Sequence, residues 1–140
     1  MENKLKSGVV VTAEYDICRE ATSAEIEMLC PSASKSGTGT NIRFYITAVL
    51  LELEGRAFHV YCRFQDEILV RVELMPIAEP DENPDDIYLI CKEALETALG
   101  KAPEQDSTHI LYEYNWGRIG IEDPDIRGNS PIIIEYFDSD

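Results

Sequence analysis

The chain has few of the residues that build metal, redox and hydrolytic sites. Its 140 residues include four cysteines and two histidines. Cys18, Cys30, Cys62 and Cys91 are widely spaced, and no Cys-x-x-Cys pair occurs, which disfavours a zinc site. We expect reduced, mostly buried thiols in a cytoplasmic protein with no metal and no cofactor, and a disulfide is the less favoured alternative.

Long apolar segments are also missing. No run approaches the roughly 20 apolar residues of a membrane span, and residues 1–6 lack the apolar stretch of a signal peptide. We therefore expect a cytoplasmic chain with no membrane partner. Its length fits one α+β domain, residues 1–140, with a core of its own.

Positive charge is scarce, because 12 Lys and Arg stand against 27 Asp and Glu and give a formal net charge of −15. Residues 79–140 hold 16 acidic and 4 basic residues, whereas residues 1–78 hold 11 and 8. This balance disfavours a nucleic-acid partner, since neutralising phosphates requires Lys and Arg. It favours either a basic protein partner or a solvated acidic surface of the kind common in bacterial cytosolic proteins.

No stretch of the sequence singles out a catalytic residue or a metal ligand. Residues 123–128 begin like a calcium loop, but Arg127 and Ile134 stand where that loop needs oxygen ligands. His59 and Cys62 are predicted on opposite faces of one strand, so they cannot form a nucleophile–base pair. We therefore favour a protein that is not an enzyme.

Alternating apolar and polar residues predict a three-stranded antiparallel meander in the centre of the chain. Its strands are 42–53, 56–64 and 68–74, with a three-residue loop at 65–67. The first turn is predicted as two residues at 54–55, and a four-residue loop there with the same register would also fit. A two-residue second turn would set Val60 opposite Arg71 and turn the valines outward, against roughly 1.5–3 kcal/mol of burial for each large apolar side chain. The predicted inner face is Tyr45, Thr47, Val49, Leu51, Phe58, Val60, Cys62, Phe64, Ile68, Val70, Val72 and Leu74.

The opposite face of this meander is predicted to be mixed rather than polar. In the predicted register, His59 faces Glu73 and Tyr61 faces Arg71. Apolar residues stand among these polar ones, which is typical of an interface or of the floor of a shallow pocket. The apolar members are Ile46, Ala48, Leu50 and Leu69, and the candidate binding residues are His59, Tyr61, Arg63, Arg71 and Glu73.

Two helices are predicted on either side of the meander. The capping box at residues 22–25 should begin a helix that runs to Cys30 and buries Ile26 and Leu29. Asn83 and Pro84 should begin a second helix, which ends at Gly100. Residues 32–40 are rich in Ser, Gly and Thr and predict a flexible loop.

The remaining alternating segments predict further strands at 8–18, 109–114, 118–122 and 132–137. The predicted order is β-α-β-β-β-α-β-β-β. Two helices that flank an antiparallel meander imply an α+β fold, in which an antiparallel sheet with a central three-stranded meander carries both helices on one face.

An aromatic stretch near the end of this pattern has two interpretations. Tyr112, Tyr114 and Trp116 share one strand face and are followed by Arg118. They could form a binding lip, with Arg118 stacked on Trp116, or they could be core packing with polar tips at the edge. Trp116 and Arg118 are therefore added to the candidate binding residues.

The first functional hypothesis is a non-enzymatic, acidic protein-binding module that engages or neutralises a basic protein partner, as immunity proteins and secretion chaperones do. The order of helix, meander, helix and strands over residues 23–122 is similar in outline to type III secretion chaperones, which are also small and acidic. This resemblance concerns topology and charge, and it implies a partner-binding role.

Two alternatives use the outer face of the meander. In the first, a small-molecule-binding protein or enzyme has a pocket there, where Arg63 and Arg71 hold an anionic ligand. In the second, the same face forms a homodimer interface with Ile46, Leu50 and Leu69 at its centre.

Overall fold

A computed structural model describes most of the chain. The described residues are 4–12, 16–29, 34–38, 40–51, 53, 55–77, 87–100, 104–105, 110–121 and 132–137. Within them lie a 3-10 turn at Lys4–Ser7 and two α-helices, α1 (Ser23–Leu29) and α2 (Ile87–Leu99). The strands are β1 (Val10–Val11), β2 (Asp16–Ile17), β3 (Ser34–Thr38), β4 (Asn41–Leu50), β5 (Arg56–Gln65), β6 (Ile68–Pro76), β7 (Glu104–Gln105), β8 (Ile110–Tyr114), β9 (Gly117–Ile121) and β10 (Ile132–Tyr136).

Eight of these strands form one antiparallel sheet in the order β3-β4-β5-β6-β10-β9-β8-β7, and β1 and β2 form a separate small hairpin. The last strand, β10, lies between β6 and β9 and joins the central meander to the strands that follow α2. Both helices contribute to the core on the inner face of the sheet. The predicted fold class, α+β with a central meander and helices on one face, is confirmed.

The helix ends show the expected local chemistry where they are described. The amide of Glu25 donates a hydrogen bond of 3.1 Å to Thr22 Oγ1, which caps α1. Ile26 is buried as predicted, but Leu29 is 49% exposed, so its predicted burial is wrong. Gly100 ends α2 with a φ of +86°, a backbone conformation that glycine adopts without strain. The predicted start of α2 at Asn83 and Pro84 lies outside the described residues.

The pairing of β4 with β5 differs from the predicted register by three residues. Phe58 faces Ala48 rather than Leu51, and a five-residue connection replaces the predicted two-residue turn. Because three is odd, every side chain of β4 changes face. Leu50 is therefore buried at 1% exposure, whereas Val49 is 39% exposed.

The connection between β4 and β5 explains this register. Its Leu53 is buried in the core, and the amide of Leu51 donates a hydrogen bond of 3.1 Å to the carbonyl of Val11 in β1. The two contacts stop β4 at Leu50 and direct Phe44 and Ile46 inward. This face buries more apolar surface than the predicted alternative of Tyr45, Thr47 and Val49.

The second hairpin also departs from the predicted loop. Asp66 and Glu67 both have positive φ, at 53° and 69°, and form a two-residue turn that pairs Gln65 with Ile68. The predicted three-residue loop is therefore wrong.

After this two-residue turn, a β-bulge in β6 keeps the apolar side chains of the strand directed into the core. Phe64 pairs with Leu69 and Arg63 pairs with Arg71, so Val70 is an extra residue without a partner on β5. The side chains of Leu69 and Val72 are consequently both buried. The extra residue lets a two-residue turn coexist with inward-facing apolar residues farther along β6.

Other differences lie at the margins of the sheet. Residues 34–38, predicted as part of a flexible loop, form the edge strand β3, which pairs with β4. The predicted strand at 8–18 is instead the short pair β1 and β2. Strands β8, β9 and β10 lie within one residue of the predicted bounds. Neither α1 nor α2 is long and apolar enough to cross a membrane.

A pair of neighbouring substitutions tests the register of β4. We expect Leu50→Ala to lower the free energy of unfolding by about 2–5 kcal/mol, because it opens a cavity in the core. The exposed Val49→Ala should change it by about 1 kcal/mol or less. Urea denaturation measures both values. A larger loss of stability in Val49→Ala than in Leu50→Ala would instead support the register predicted from the sequence.

Candidate functional site

The corrected register brings three arginines into line on the outer face of the meander. Arg43 of β4 pairs with Arg63 of β5, and Arg63 pairs with Arg71 of β6. Partners in an antiparallel sheet have Cα atoms about 4.5–5.5 Å apart, so the three side chains leave neighbouring positions of one surface. We call Arg43, Arg63 and Arg71 the arginine row.

The arginine row contains a quarter of the 12 basic residues in a chain of net charge −15. Like charges directly opposite one another destabilise a sheet. Arg43 and Arg63 are exposed, and neither forms an ion pair within the described part of the chain. Two of the three charges in the row are therefore not compensated by any described carboxylate.

Arg71 differs from its two neighbours because a carboxylate lies beside it. Its Nε atom lies 3.1 Å from Glu73 Oε1, within ion-pair distance but without hydrogen-bond geometry. The other nearby acid, Glu135 of β10, accepts a hydrogen bond of 3.1 Å from Arg118 Nε. Among the described carboxylates, Glu73 is therefore the one that forms an ion pair with Arg71.

Aromatic side chains lie beside the arginine row, one step along the strands. The rings of Tyr45 and Tyr61, which face each other across β4 and β5, have centroids 5.1 Å apart. Tyr45 also stacks on His59 at 5.4 Å, and its Oη lies 2.5 Å from His59 Nδ1. We call Tyr45, His59 and Tyr61 the aromatic row.

Tyr61 is the member of the aromatic row that solvent reaches most readily, at 42% exposure. Partial burial raises its pKa above the ordinary value, and the neighbouring Tyr45 and Glu73 add to this effect. The phenol therefore stays protonated at neutral pH and can donate a hydrogen bond. It combines a flat apolar surface with one polar group.

The arginine row and Tyr61 of the aromatic row line a shallow depression of about 180 Å³. Its lining includes all three arginines together with Tyr61 and Glu73, whose backbones pair across β5 and β6. The lining residues are Arg43, Tyr61, Cys62, Arg63, Arg71 and Glu73. The depression can accept an anionic group from several N–H donors at once.

The predicted cross-strand partners within this site are wrong, because the register between β5 and β6 differs from the predicted one. His59 pairs with Met75 rather than Glu73, and Tyr61 pairs with Glu73 rather than Arg71. The structure nevertheless brings Tyr61, Arg63, Arg71 and Glu73 together, and it places His59 beside them through Tyr45.

Sequence reasoning missed Arg43 and Tyr45. Both belong to β4, whose faces are inverted in the predicted register, so that register places Tyr45 in the core and leaves Arg43 out of the candidate site. The signal that could have placed them is the alternation of Phe44 and Ile46 with Arg43 and Tyr45, which favours arginine facing outward.

The two remaining candidates do not line the depression. Arg118 of β9 lies beyond β10 and pairs with Glu135. Trp116 lies in the turn before β9, stacks on Tyr114 with centroids 5.4 Å apart, and donates a hydrogen bond of 2.8 Å from Nε1 to the carbonyl of Lys6. Trp116 packs against the core and anchors the N-terminal 3-10 turn.

The apolar centre predicted for a homodimer interface is absent from the outer face. Ile46, Leu50 and Leu69 are all buried in the core. The two hairpin registers explain this correction, since each one turns these side chains inward.

The described residues contain no cluster of metal ligands, and burial raises the pKa of two of their cysteine thiols. They contain no group of three or more His, Cys, Asp and Glu close enough to hold an ion. Burial raises the pKa of Cys18, and it raises that of Cys91 to about 12. Both thiols therefore stay protonated at neutral pH and are poor nucleophiles.

Comparisons with known proteins add no relative. No family model matches the sequence, and neither curated proteins nor solved structures match the chain. The resemblance to type III secretion chaperones thus rests on element order and charge alone.

A conservative substitution tests the structural role of Trp116. Trp116→Phe should lower the free energy of unfolding by about 1 kcal/mol, because the hydrogen bond from Nε1 to the carbonyl of Lys6 is lost. Arg118→Gln, which removes an exposed ion pair, should change it by about 0.5 kcal/mol or less. Thermal and urea denaturation measure both. Equal stability of Trp116→Phe and the wild type would contradict this role.

Proposed function

We propose that this protein is a binding protein that holds an anionic group of its ligand on the arginine row. The observation that supports this proposal is the direct opposition of Arg43, Arg63 and Arg71 on one exposed sheet face. An anion bound there would remove the repulsion that the three side chains impose on one another. No catalytic group is needed for this function.

The chemistry of guanidinium favours oxyanions. Each arginine presents planar N–H donors that match the oxygens of carboxylate or phosphate, often in pairs. The shallow depression brings three such groups to one place, and Glu73 lies within ion-pair distance of Arg71. The geometry supports recognition of an oxyanion rather than of a cation or an apolar ligand.

The negative charge of the rest of the chain should restrict anion binding to this site. At a net charge of −15, the protein repels anions over distances up to the Debye length, about 10 Å at 0.1 M salt. An anion will therefore bind where close hydrogen bonds outweigh this repulsion. Binding should be confined to the arginine row.

Substitution of the central arginine tests this function. With inorganic phosphate and citrate as probes, Arg63→Gln should weaken binding about tenfold, equivalent to about 1.4 kcal/mol for the lost charge-assisted hydrogen bonds. Titration followed by backbone amide chemical shifts measures the dissociation constant and locates the site. In the wild type the largest shifts should fall on β4, β5 and β6.

Lys92→Gln is the matched control, because it changes the net charge equally but lies on α2, outside the depression. It should bind both probes like the wild type. The proposal is wrong if the two variants bind alike, or if the wild type shows no saturable shifts on the outer face.

Although Arg63→Gln should weaken anion binding, it should stabilise the ligand-free protein. Without an anion, Arg63→Gln should raise the free energy of unfolding by about 0.2–1 kcal/mol, because two like-charge contacts are removed. Phosphate should stabilise the wild type against urea more than it stabilises the variant. A ligand-free Arg63→Gln protein less stable than the wild type would show that the arginine is structural.

A basic protein partner is a second candidate function, favoured by the 16 acidic residues among residues 79–140. The dense acidic clusters, residues 79–86 and 122–125, lie outside the described residues. Such a complex should form rapidly at low salt and weaken steeply as salt rises. Pull-downs from the native host at low and high salt measure this dependence, and recovery of no partner at low salt would remove its support.

A further inference from the structure

We infer that the ligand is a phosphate monoester joined to a flat aromatic ring. This inference rests on the proposed function and specifies what the arginine row binds. It draws on three features of the outer face: the charge of the depression, the position of the aromatic row, and the small volume between them.

The charge of the depression matches a phosphate monoester. Its lining includes the guanidinium groups of Arg43, Arg63 and Arg71 and the carboxylate of Glu73, which together leave two positive charges. A phosphate monoester carries about −1.5 to −2 at pH 7 and offers three acceptor oxygens. A single carboxylate would leave about half of this charge unbalanced.

The aromatic row gives the ligand a second point of contact. Tyr61 and Tyr45 each lie two residues from an arginine of the row on the same strand, a distance of about 6.6–7 Å along the sheet. Their rings contact each other, and Tyr45 is held by His59, so the surface is already ordered before a ligand arrives. Exposed aromatic rings on a sheet face stack readily on flat ring systems.

Glu73 lies between these two contacts. Its backbone pairs with Tyr61, while its carboxylate is held by Arg71. It can accept a hydrogen bond from a hydroxyl or amino group located between the phosphate and the ring of the ligand. Nucleoside monophosphates have this composition, and phosphotyrosine has the phosphate and the ring.

The size of the depression restricts how the ligand lies. About 180 Å³ is less than the roughly 300–1,000 Å³ of a pocket that encloses a drug-sized molecule. The phosphate would fill the depression, and the ring would lie on Tyr61, which is accessible. Affinity should therefore depend on both ends of the ligand.

A set of small probes tests this inference on the full chain. Adenosine 5′-monophosphate and O-phospho-L-tyrosine carry both groups, ribose 5-phosphate lacks the ring, and adenosine lacks the phosphate. Calorimetric or chemical-shift titration should show at least one ringed phosphate binding tenfold or more tightly than ribose 5-phosphate, and adenosine binding still more weakly. The tighter of the two ringed phosphates identifies the source of the ligand.

Two substitutions of Tyr61 connect the preference to the aromatic row. Tyr61→Leu should abolish the tenfold advantage, so that the ringed phosphate binds no more tightly than ribose 5-phosphate to the same variant. Tyr61→Phe keeps the ring and should keep the advantage. Since Tyr61 is exposed, both variants should fold, and urea denaturation checks this.

The possible failures are distinguishable. If ribose 5-phosphate binds as tightly as both ringed phosphates, or if Tyr61→Leu keeps the preference, the inference is wrong while the anion site stands. If adenosine binds as tightly as its monophosphate, the phosphate adds nothing to the affinity, and the proposed contact between it and the arginine row is wrong. If no phosphate compound binds, both the inference and the proposed function are wrong.

Discussion

The register between β4 and β5 determines both the core and the candidate site. A strand has only two faces, so burying Phe44, Ile46 and Leu50 obliges Arg43 and Tyr45 to face outward. The apolar side chains supply the free energy that fixes this choice. The opposition of Arg43 and Arg63, which costs stability by itself, is thus imposed by packing on the other side of the same strand.

Strand β10 extends this arrangement across the sheet. Its Ile132 and Ile134 complete the core between β6 and β9, while Glu135 on the other face binds Arg118. The charge of Glu135 is therefore balanced on the β9 side, away from the arginine row. As a result, Arg71 is accompanied chiefly by Glu73, and the depression keeps its positive character.

Local sequence patterns predicted the positions of the helices and of most strands well. They predicted the pairing between strands poorly. The cap at Thr22, the glycine that ends α2 and the inward face of β5 all follow from short-range spacing. The face of β4 does not, because both of its alternating sets contain apolar residues, and a distant contact between Leu51 and Val11 decides the loop.

The same distinction explains how much of the site was predictable. Arg63 and Arg71 were assigned correctly to the outer face, since β5 and most of β6 have one clearly apolar side. Arg43 and Tyr45 depended on the connection after β4, and their exact neighbours depended on the bulge at Val70. Strand β3 was missed because its pairing with β4 provides an order that its own Ser, Gly and Thr residues do not indicate.

The edges of the sheet have a consequence for how molecules of this protein meet one another. One edge strand, β3, carries small polar residues and Lys35, whose Nζ lies 2.8 Å from Glu27 of α1, and the other, β7, has two residues. Short or charged edges are poor templates for adding a strand from another chain. The exposed side chains of Arg43, Tyr61 and Arg63 on the outer face can therefore remain open to a ligand without strand addition at these two described edges.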